Sequence, residues 1–568
     1  MPDTAARRRS RRDLTERLWL TAGALVVAGV LAPLGGLTYY AARGSGDLWP
    51  HLYRSVLPTA VETTAILLLG VGLLISVIGV GLAWLIAMYR FPGRATLEWA
   101  LLLPLSIPTY IVAYAYLDVL HPVGPVQSTL RALFGITDPR GLPFPEIRSL
   151  PGAIALLGFV LYPYVYLPVR ALFMMQSPVL LEVARTLGRS RPAVFWRVAL
   201  PLARPAVAVG ASLALMEALN DIGASSFLGV KTLTVAIYST WVTRSSIEGA
   251  SQIALVMLLM VLVLVGVERL GRRRQRFVAR GGRGRPVTPR RLTGLRAVIA
   301  CTLASLPVLI GFAVPASYLL VHALERLASH GLPPALGRWI ANTMLAAGGA
   351  TLIAILVGLF MAYMARLVRR KAAPALLRLS GIGYAIPGTV LAAGMLMPFA
   401  TLDNWIADSI RWLTDARVGL VLSQSGIVLI TGYVIRFLGV SSGGIEAGLT
   451  KISPSLDMAA RSLGAPPARI AWAIHLPLLR PAVAAAGLLV FVDCMKELSI
   501  TLLLRPLNFE TLSTTVYGEA ARGTYEDGSI AALTIVLVGL LPVVLLARSS
   551  FGDQQSRPSK ATAQLAAT

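Results

Sequence analysis

The stretch LEVARTLGRSRPAVFWRVALPLARPAV, residues 181–207, recurs in diverged form as DMAARSLGAPPARIAWAIHLPLLRPAV, residues 457–483. The two stretches align without gaps at an offset of 276 residues. Upstream the offset is 279, since Arg90 corresponds to Arg369 and Ile107-Pro108 to Ile386-Pro387. A nearly constant offset across separate segments indicates that the chain contains a tandem duplication.

The composition around this repeat is that of a membrane protein. Apolar residues make up 56% of the chain and charged residues only 14%, with a mean hydropathy of +0.70. The apolar residues fall in blocks of about twenty, enough for a helix to cross a bilayer core of about 30 Å. We therefore predict an all-α polytopic membrane protein with about twelve transmembrane helices in two tandem six-helix halves. The candidate spans are 18–40, 57–88, 95–120, 151–176, 205–224, 252–270, 294–323, 342–366, 375–400, 419–441, 481–498 and 530–548.

Six spans separate equivalent points of the repeat, so both copies share one orientation. This predicts a pseudo-twofold axis along the membrane normal. The predicted division of the chain is a basic cytoplasmic N-tail (1–17), a first half (18–270), a basic cytoplasmic linker (271–293), a second half (294–548) and a cytoplasmic C-tail (549–568).

We interpret the net charge of +25 as basic residues that orient the chain in the membrane, rather than as a surface that binds nucleic acid. The arginines cluster beside apolar spans, and most of the 52 Lys and Arg residues lie in cytoplasmic segments if the N-terminus is inside. The N-terminal run RRRSRR (7–12) precedes an apolar stretch too long for a signal peptide, so we expect a retained first span. These features predict a multi-pass protein of the bacterial inner membrane with both termini cytoplasmic.

The repeated stretch carries a spacing of small and polar residues between spans four and five of each half. It indicates a short helix, a glycine that turns the chain, a second short amphipathic helix and a proline that restarts the next span. The residues are Glu182, Ala184, Gly188 and Pro201 in the first copy, and Asp457, Met458, Ala460, Gly464 and Pro477 in the second.

This spacing resembles the EAA motif of the membrane permeases of ABC importers, E-A-A-x3-G-x9-I-x-L-P. The resemblance implies a type I importer permease fold in which the first EAA loop (177–204) and the second EAA loop (447–480) each form a coupling helix for a cytoplasmic ATPase dimer. The second copy departs from the motif, because Met458 stands at the glutamate position with Asp457 one residue earlier. The polar contact to the ATPase is then lost or shifted by about 100° around the helix, so we expect asymmetric coupling.

The sequence predicts no catalytic activity of its own. It has no Gly-Lys dipeptide and so no Walker A loop, which assigns ATP hydrolysis to a separate subunit. Two cysteines and five scattered histidines predict neither a disulfide framework nor a firm metal site, and we expect no cofactor. A secondary transporter is the alternative from another class, although it has no reason to keep paired EAA loops.

Four carboxylates lie at repeat-equivalent positions inside two spans, Glu217 with Asp221 and Asp493 with Glu497. Each pair is spaced i, i+4 and shares one helical face. Intramembrane acids usually face a bundle interior or a wet cavity, so they are candidates for the translocation path. The alternative is that they cap helix ends or pair with Lys496.

Several segments look like those of the ferric-iron permeases within this superfamily. They are YPYVYLPVRALF (162–173), LARPAVAVGASLALMEALNDIGA (202–224), TVAIYSTW (234–241), RFLGV (436–440) and FVDCMKELSITLLLRPLNFETLSTTVYGEA (491–520). The implied substrate is Fe(III), delivered by a periplasmic iron-binding protein, for which the external segments 121–150, 225–250 and 499–529 are the predicted docking surface. Fused permeases for thiamine, polyamines or phosphonate-type compounds share much of this pattern. We also predict contact with membrane lipid and no contact with nucleic acid.

Overall fold

The structure of the chain is a computed structural model that describes residues 2–138, 141–175, 186–272, 289–368, 370–414 and 419–551. Within these ranges the chain is helical, apart from turns and one pair of two-residue parallel strands, β1 (Tyr89–Arg90) and β2 (Arg290–Arg291). The high apolar content and the nearly all-helical backbone agree with a protein in lipid. There the backbone polar groups must form hydrogen bonds within the protein itself.

Ten helices of the described residues are long and apolar enough to cross a membrane, and two bent helix pairs raise the number to twelve. This confirms the predicted all-α polytopic class and the number of about twelve spans. The ten are Leu14–Arg43, Leu48–Met88, Pro192–Asn220, Ile247–Arg269, Leu295–His330, Leu336–Leu367, Gly388–Thr414, Ile427–Thr450, Ala471–Lys496 and Tyr525–Leu545.

The chain forms two compact units built from non-contiguous segments. Unit 1 takes its described residues from Met1–Ala60, Leu233–Val261 and Pro333–Thr515. Unit 2 takes them from Val61–Thr232, Leu262–Leu332 and Val516–Thr568. The division into tandem halves, 18–270 and 294–548, stays a prediction from the sequence repeat. In the two compact units, the first helix of each half belongs to the unit that contains most of the other half.

Helices α1 to α13 lie in the first 272 residues. They are α1 (Pro2–Arg43), α2 (Leu48–His51), α3 (Leu57–Met88), α4 (Arg94–Ala100), α5 (Thr109–Val119), α6 (Pro125–Phe134), α7 (Leu150–Leu161), α8 (Pro163–Met175), α9 (Arg191–Val194), α10 (Leu200–Asn220), α11 (Gly223–Phe227), α12 (Leu233–Tyr238) and α13 (Ile247–Arg272).

Helices α14 to α25 follow the linker. They are α14 (Leu295–Val308), α15 (Val314–His330), α16 (Leu336–Leu367), α17 (Ala372–Ser380), α18 (Gly388–Thr414), α19 (Ile427–Thr450), α20 (Pro454–Ser462), α21 (Pro467–Ile470), α22 (Leu476–Lys496), α23 (Ser499–Leu504), α24 (Leu512–Arg522) and α25 (Tyr525–Phe551).

In unit 1, helix α1 packs along α18, and α16, α19 and α22 pack against one another. The contact of α1 with α18 depends on glycine, because a Cβ on Gly394 would overlap the carbonyl oxygen of Pro33. A Cβ on Gly36 would in turn overlap the carbonyl oxygen of Gly394. Small residues that let two backbones touch are typical of helix contacts in membranes.

In unit 2, helices α14 and α15 and the last helix α25 complete the core formed by α3 to α11. Polar contacts join α15 to its neighbours. The Tyr318 hydroxyl donates to Asp118 Oδ2 at 2.8 Å, and Arg326 Nε donates to Asp527 Oδ1 at 2.7 Å. These contacts attach α15 to α5 and to α25.

Each copy of the repeat breaks a helix at its Ile-Pro dipeptide. A 3₁₀ turn (Leu103–Ser106) leads into extended Ile107, and the flanking segments bend by 93°. In the second copy a 3₁₀ turn (Ile382–Ala385) leads into extended Ile386 before α18 begins. Proline offers no N–H and disfavours α conformation at the preceding residue, which explains a break at the same point in both copies.

Proline also explains where the helices widen. Four of the five π-helical turns in the described residues end two residues before a proline, namely Pro58, Pro201, Pro315 and Pro477. The missing proline N–H leaves a carbonyl of the preceding turn without its usual donor, and a wider turn moves that carbonyl away from the ring. Pro201 and Pro477 therefore continue a helical path rather than restart one.

Candidate functional site

The first EAA loop is only partly described. Glu182 and Ala184 lie within 176–185, outside the described residues. Gly188 is left-handed, with a φ of +78°, and Pro201 stands in the first turn of α10. The described end of this loop thus has the turn that the sequence predicts.

The second EAA loop is described in full apart from two side chains. Its short helix α20 begins after Ser453, whose hydroxyl accepts from the Ser455 N–H. It ends in a Schellman turn, where Ala465 N donates to the Ala460 carbonyl and Gly464 has a φ of +79°. Only glycine takes this conformation without strain. Helix α21 and a π turn then lead into α22, which contains Pro477.

The second loop presents an apolar outer surface. Met458 is 65% exposed, whereas Ala460 is buried. Leu463 and Trp472 are also exposed, and so are Leu187 and Trp196 at the equivalent positions of the first loop. Sequence reasoning missed these two matched pairs, although an offset of 276 residues relates them. The same large apolar side chains are therefore exposed at equivalent positions of both loops.

Asp457 points away from this surface. Its carboxylate accepts from Arg366 Nη2 at 3.2 Å and from His475 Nε2 at 2.6 Å, and its side chain is only 16% exposed. The ring nitrogen Nε2 of His475 must carry a proton, because an ionised carboxylate can only accept. Asp457 therefore does not replace the missing glutamate on the outer surface of α20.

The surroundings of Asp457 keep it charged. Burial works to raise its pKa, but the hydrogen bond and charge of His475 and the charge of Arg366 outweigh burial and hold the pKa below its ordinary value of 3.8. The stability that ionised Asp457 contributes is present above the ordinary carboxyl pKa and is lost only as the pH falls through the lowered value. The Asp457 contacts thus persist across the physiological pH range.

Two of the four intramembrane acids have the same local role in the two copies. Helix α10 ends at Asn220 and α22 at Lys496, and the next residue is an extended acid, Asp221 or Glu497. Asp221 Oδ1 accepts from Ala224 N at 2.8 Å, and Glu497 Oε1 accepts from Ile500 N at 3.1 Å. Each carboxylate therefore satisfies an amide that is left open directly after a candidate span ends.

Glu497 has a second partner that the sequence did not predict. Its Oε2 lies 3.6 Å from Nε of Arg436, and both side chains are buried. Nη1 of Arg436 reaches the Ile386 carbonyl at 3.4 Å. Arg436 thus connects the break before α18 with the break after α22.

The other two acids lie one turn earlier on the same helices. Asp493 is 31% exposed and pairs with Lys496 at 3.2 Å. Glu217 is half-buried. No group of three or more His, Cys, Asp or Glu residues positioned to hold a metal ion exists within the described residues. Each copy therefore has one partly accessible carboxylate about a turn before its helix ends.

Beside the second EAA loop, unit 1 has a cavity of about 830 Å³ between α19 and α22. Its walls are mostly small residues, such as Gly444, Gly448, Ala482 and Ala485, with Lys451 at one end. None of the predicted intramembrane acids lines it.

The repeated spans and the paired loops with left-handed glycines define a polytopic membrane protein of two related copies. The family described as "Binding-protein-dependent transport system inner membrane component" matches residues 75–277 and 354–551. The chain belongs to this family and is the permease of an ABC importer.

Curated relatives cover most of the chain. The Fe(3+)-transport system permease protein FbpB 2 of Haemophilus influenzae is 26% identical over 503 residues, which is 88% of this chain and 92% of that protein. The ferric transport system permease protein FbpB of Actinobacillus pleuropneumoniae is 25% identical over 81% of this chain and 66% of its own length. The molybdenum transport system permease protein ModB of Escherichia coli is 29% identical, but over 33% of this chain and 80% of its own length.

Asp493, on α22, and Glu497, directly after its end, are expected to contribute unequally to stability. Glu497→Gln removes the charge partner of buried Arg436, and we expect a loss of about 3 kcal/mol in the free energy of unfolding. Asp493→Asn removes a partly exposed pair one turn away, and we expect a loss below about 1 kcal/mol. Thermal or denaturant unfolding of the detergent-solubilised protein measures both. Equal losses would contradict a structural role specific to Glu497.

Proposed function

We propose that this permease imports Fe(III) across the bacterial inner membrane by alternating access, driven by a separate ATPase dimer. Support for the substrate comes from the two ferric permeases, which match 88% and 81% of the chain, whereas the molybdenum permease matches a third of it. The segments of the sequence that resemble ferric permeases lie in both copies of the repeat. In this proposal a periplasmic iron-binding protein delivers the metal, and the chain itself catalyses no reaction.

The proposed orientation places both termini and both EAA loops in the cytoplasm. It rests on the basic segments that flank the spans, since cationic loops resist translocation. In this orientation the left-handed glycines and the exposed Leu187, Trp196, Leu463 and Trp472 face the ATPase. The proposed role of the EAA loops rests on one observation. The same turn and the same exposed apolar residues occur in both copies.

The EAA glycines provide a test of coupling. Gly188→Leu or Gly464→Leu forces a left-handed residue to carry a side chain, at a cost of about 1–2 kcal/mol to the local turn. We expect membrane insertion to continue and substrate uptake to fall at least tenfold, because the coupling helix is displaced. The control is Gly443→Leu, at a helical position where a Cβ meets open space. Uptake at the wild-type rate in both EAA variants would remove the assigned role of the loops.

The intramembrane acids provide a separate test of the path. We propose that Glu217 and Asp493 face the moving ion, while Asp221 and Glu497 mainly hold the helix breaks. The double variant Glu217→Gln with Asp493→Asn is expected to slow uptake about tenfold or more without loss of the ATPase from the complex. Asp408→Asn, which removes an exposed acid elsewhere, serves as the control. Unchanged uptake in the double variant would leave all four acids with structural roles only.

The substrate is tested in reconstituted vesicles that contain the permease, its ATPase and its binding protein. We expect ATP-dependent accumulation of labelled Fe(III), and none in vesicles that lack ATP. Thiamine, a polyamine and 2-aminoethylphosphonate are offered in parallel. Accumulation of one of these in place of iron would overturn the iron assignment and leave the permease role standing. Accumulation without any ATPase subunit would instead favour a secondary transporter.

A further inference from the structure

Three segments of unit 1 meet at the carboxylate of Asp457. Asp457 lies in the first turn of α20, the second coupling helix. Arg366 comes from the last turn of α16, and His475 from the π turn that leads into α22. The nitrogen–oxygen distances are 3.2 Å to Arg366 and 2.6 Å to His475. We call Arg366, Asp457 and His475 the clamp.

Arg366 extends the clamp to a fourth segment. Its Nη1 donates to the Leu449 carbonyl at 2.6 Å, and its Nη2 lies 3.4 Å from the Ile452 carbonyl. Leu449 is in the last turn of α19, where a cation complements the helix dipole and satisfies an open carbonyl. One guanidinium therefore fixes the end of α19 and the start of α20 to α16.

The ring of His475 is held inside the protein. His475 is fully buried, and its ring lies 5.7 Å from the ring of Tyr363 on α16. Asp457 is the hydrogen-bond partner found for this ring within the described residues, since Nδ1 has none there. Removal of the carboxylate would leave a buried imidazole without a polar partner, which is unfavourable.

The first copy of the repeat carries no charge at these positions. The residues equivalent to Arg366, Asp457 and His475 are Ala87, Leu181 and Ala199, by the offsets of 279 and 276. Ala87 and Ala199 are buried. Apolar packing is non-directional and lets surfaces slide, whereas charge-assisted hydrogen bonds fix both distance and orientation.

We propose that Arg366, Asp457 and His475 are positioning residues that hold the second coupling helix to α16, α19 and α22 as one rigid lever. In the sequence of the first copy, the equivalent positions Ala87, Leu181 and Ala199 carry no charged side chain that could form the same ion pairs. Movement of the ATPase then reaches the two copies unequally, with the tighter transmission through the second. This inference rests on the proposed role of the EAA loops in coupling, but not on the identity of the substrate.

The first experiment follows the clamp directly, by hydrogen–deuterium exchange in the full-length permease. Asp457→Asn removes the charge while it keeps the size, and we expect amide exchange of residues 454–463 to rise about tenfold. Asp457→Glu keeps the charge and is expected to restore much of the protection. Asp408→Asn is the matched control, with no change over 454–463. Exchange at the wild-type rate in Asp457→Asn would show that no clamp restrains this helix.

The second experiment measures coupling, as the ratio of substrate imported to ATP hydrolysed with the complete importer in vesicles. We expect Asp457→Asn to lower this ratio several-fold while the ATPase stays bound, because hydrolysis continues without full transmission. His475→Gln is expected to lower it too, and the double variant to be no worse than Asp457→Asn alone. If Asp457→Asn yields no folded protein, His475→Gln carries both measurements.

The outcomes separate the clamp from the broader proposal. A wild-type importer that moves no Fe(III) argues against the iron assignment, while the exchange measurement still decides the clamp. A wild-type importer that moves iron, together with an unchanged ratio in Asp457→Asn, rejects the positioning role alone. Loss of protection with an unchanged ratio reduces the clamp to a stabilising contact and also rejects the proposal.

Discussion

A backbone amide inside a membrane must find an acceptor in the protein, because lipid offers none. The helix breaks of this permease depend on that constraint. Asp221 and Glu497 accept from the first turns of α11 and α23, directly after α10 and α22 have ended. Arg436 joins the break at Ile386 to Glu497. Asp221 and Glu497 therefore lie where the backbone would otherwise have open polar groups, directly after two candidate spans end and before the next short helices begin.

Much of the fold can be predicted from residues that the sequence repeat identifies. The offsets of 276 and 279 locate the paired loops, the left-handed glycines and the Ile-Pro breaks, since each depends on local chemistry. The number of spans follows from apolar length. The contacts of Asp457 could not be read in this way. Arg366 lies 91 residues before it and His475 18 residues after it, and neither carries a local signal of its partner.

The two copies differ in the residues that hold their shared elements. The caps at Asp221 and Glu497 accept equivalent backbone amides, and Glu497 also pairs with Arg436. Charged residues stand at Arg366 and Asp457, where the first copy has alanine and leucine. A fused chain permits such divergence, because each half always meets the same partner half. The sequence predicts asymmetry from Met458, and the charges at Arg366 and Asp457 are a further sequence difference, on the inner side of the second coupling helix.

The glycine contact between α1 and α18 has a consequence for biogenesis. The first membrane helix leaves the ribosome early, but Gly394, against which Gly36 packs, is made more than 350 residues later. At bacterial rates of synthesis that interval is roughly twenty to seventy seconds. During this interval the first helix stays in the bilayer without α18, the helix against which it packs. It is then accessible to chaperones and membrane proteases. Completion of unit 1 is therefore an event near the end of translation, and a chain cut short before α18 leaves its earliest helix permanently unmatched.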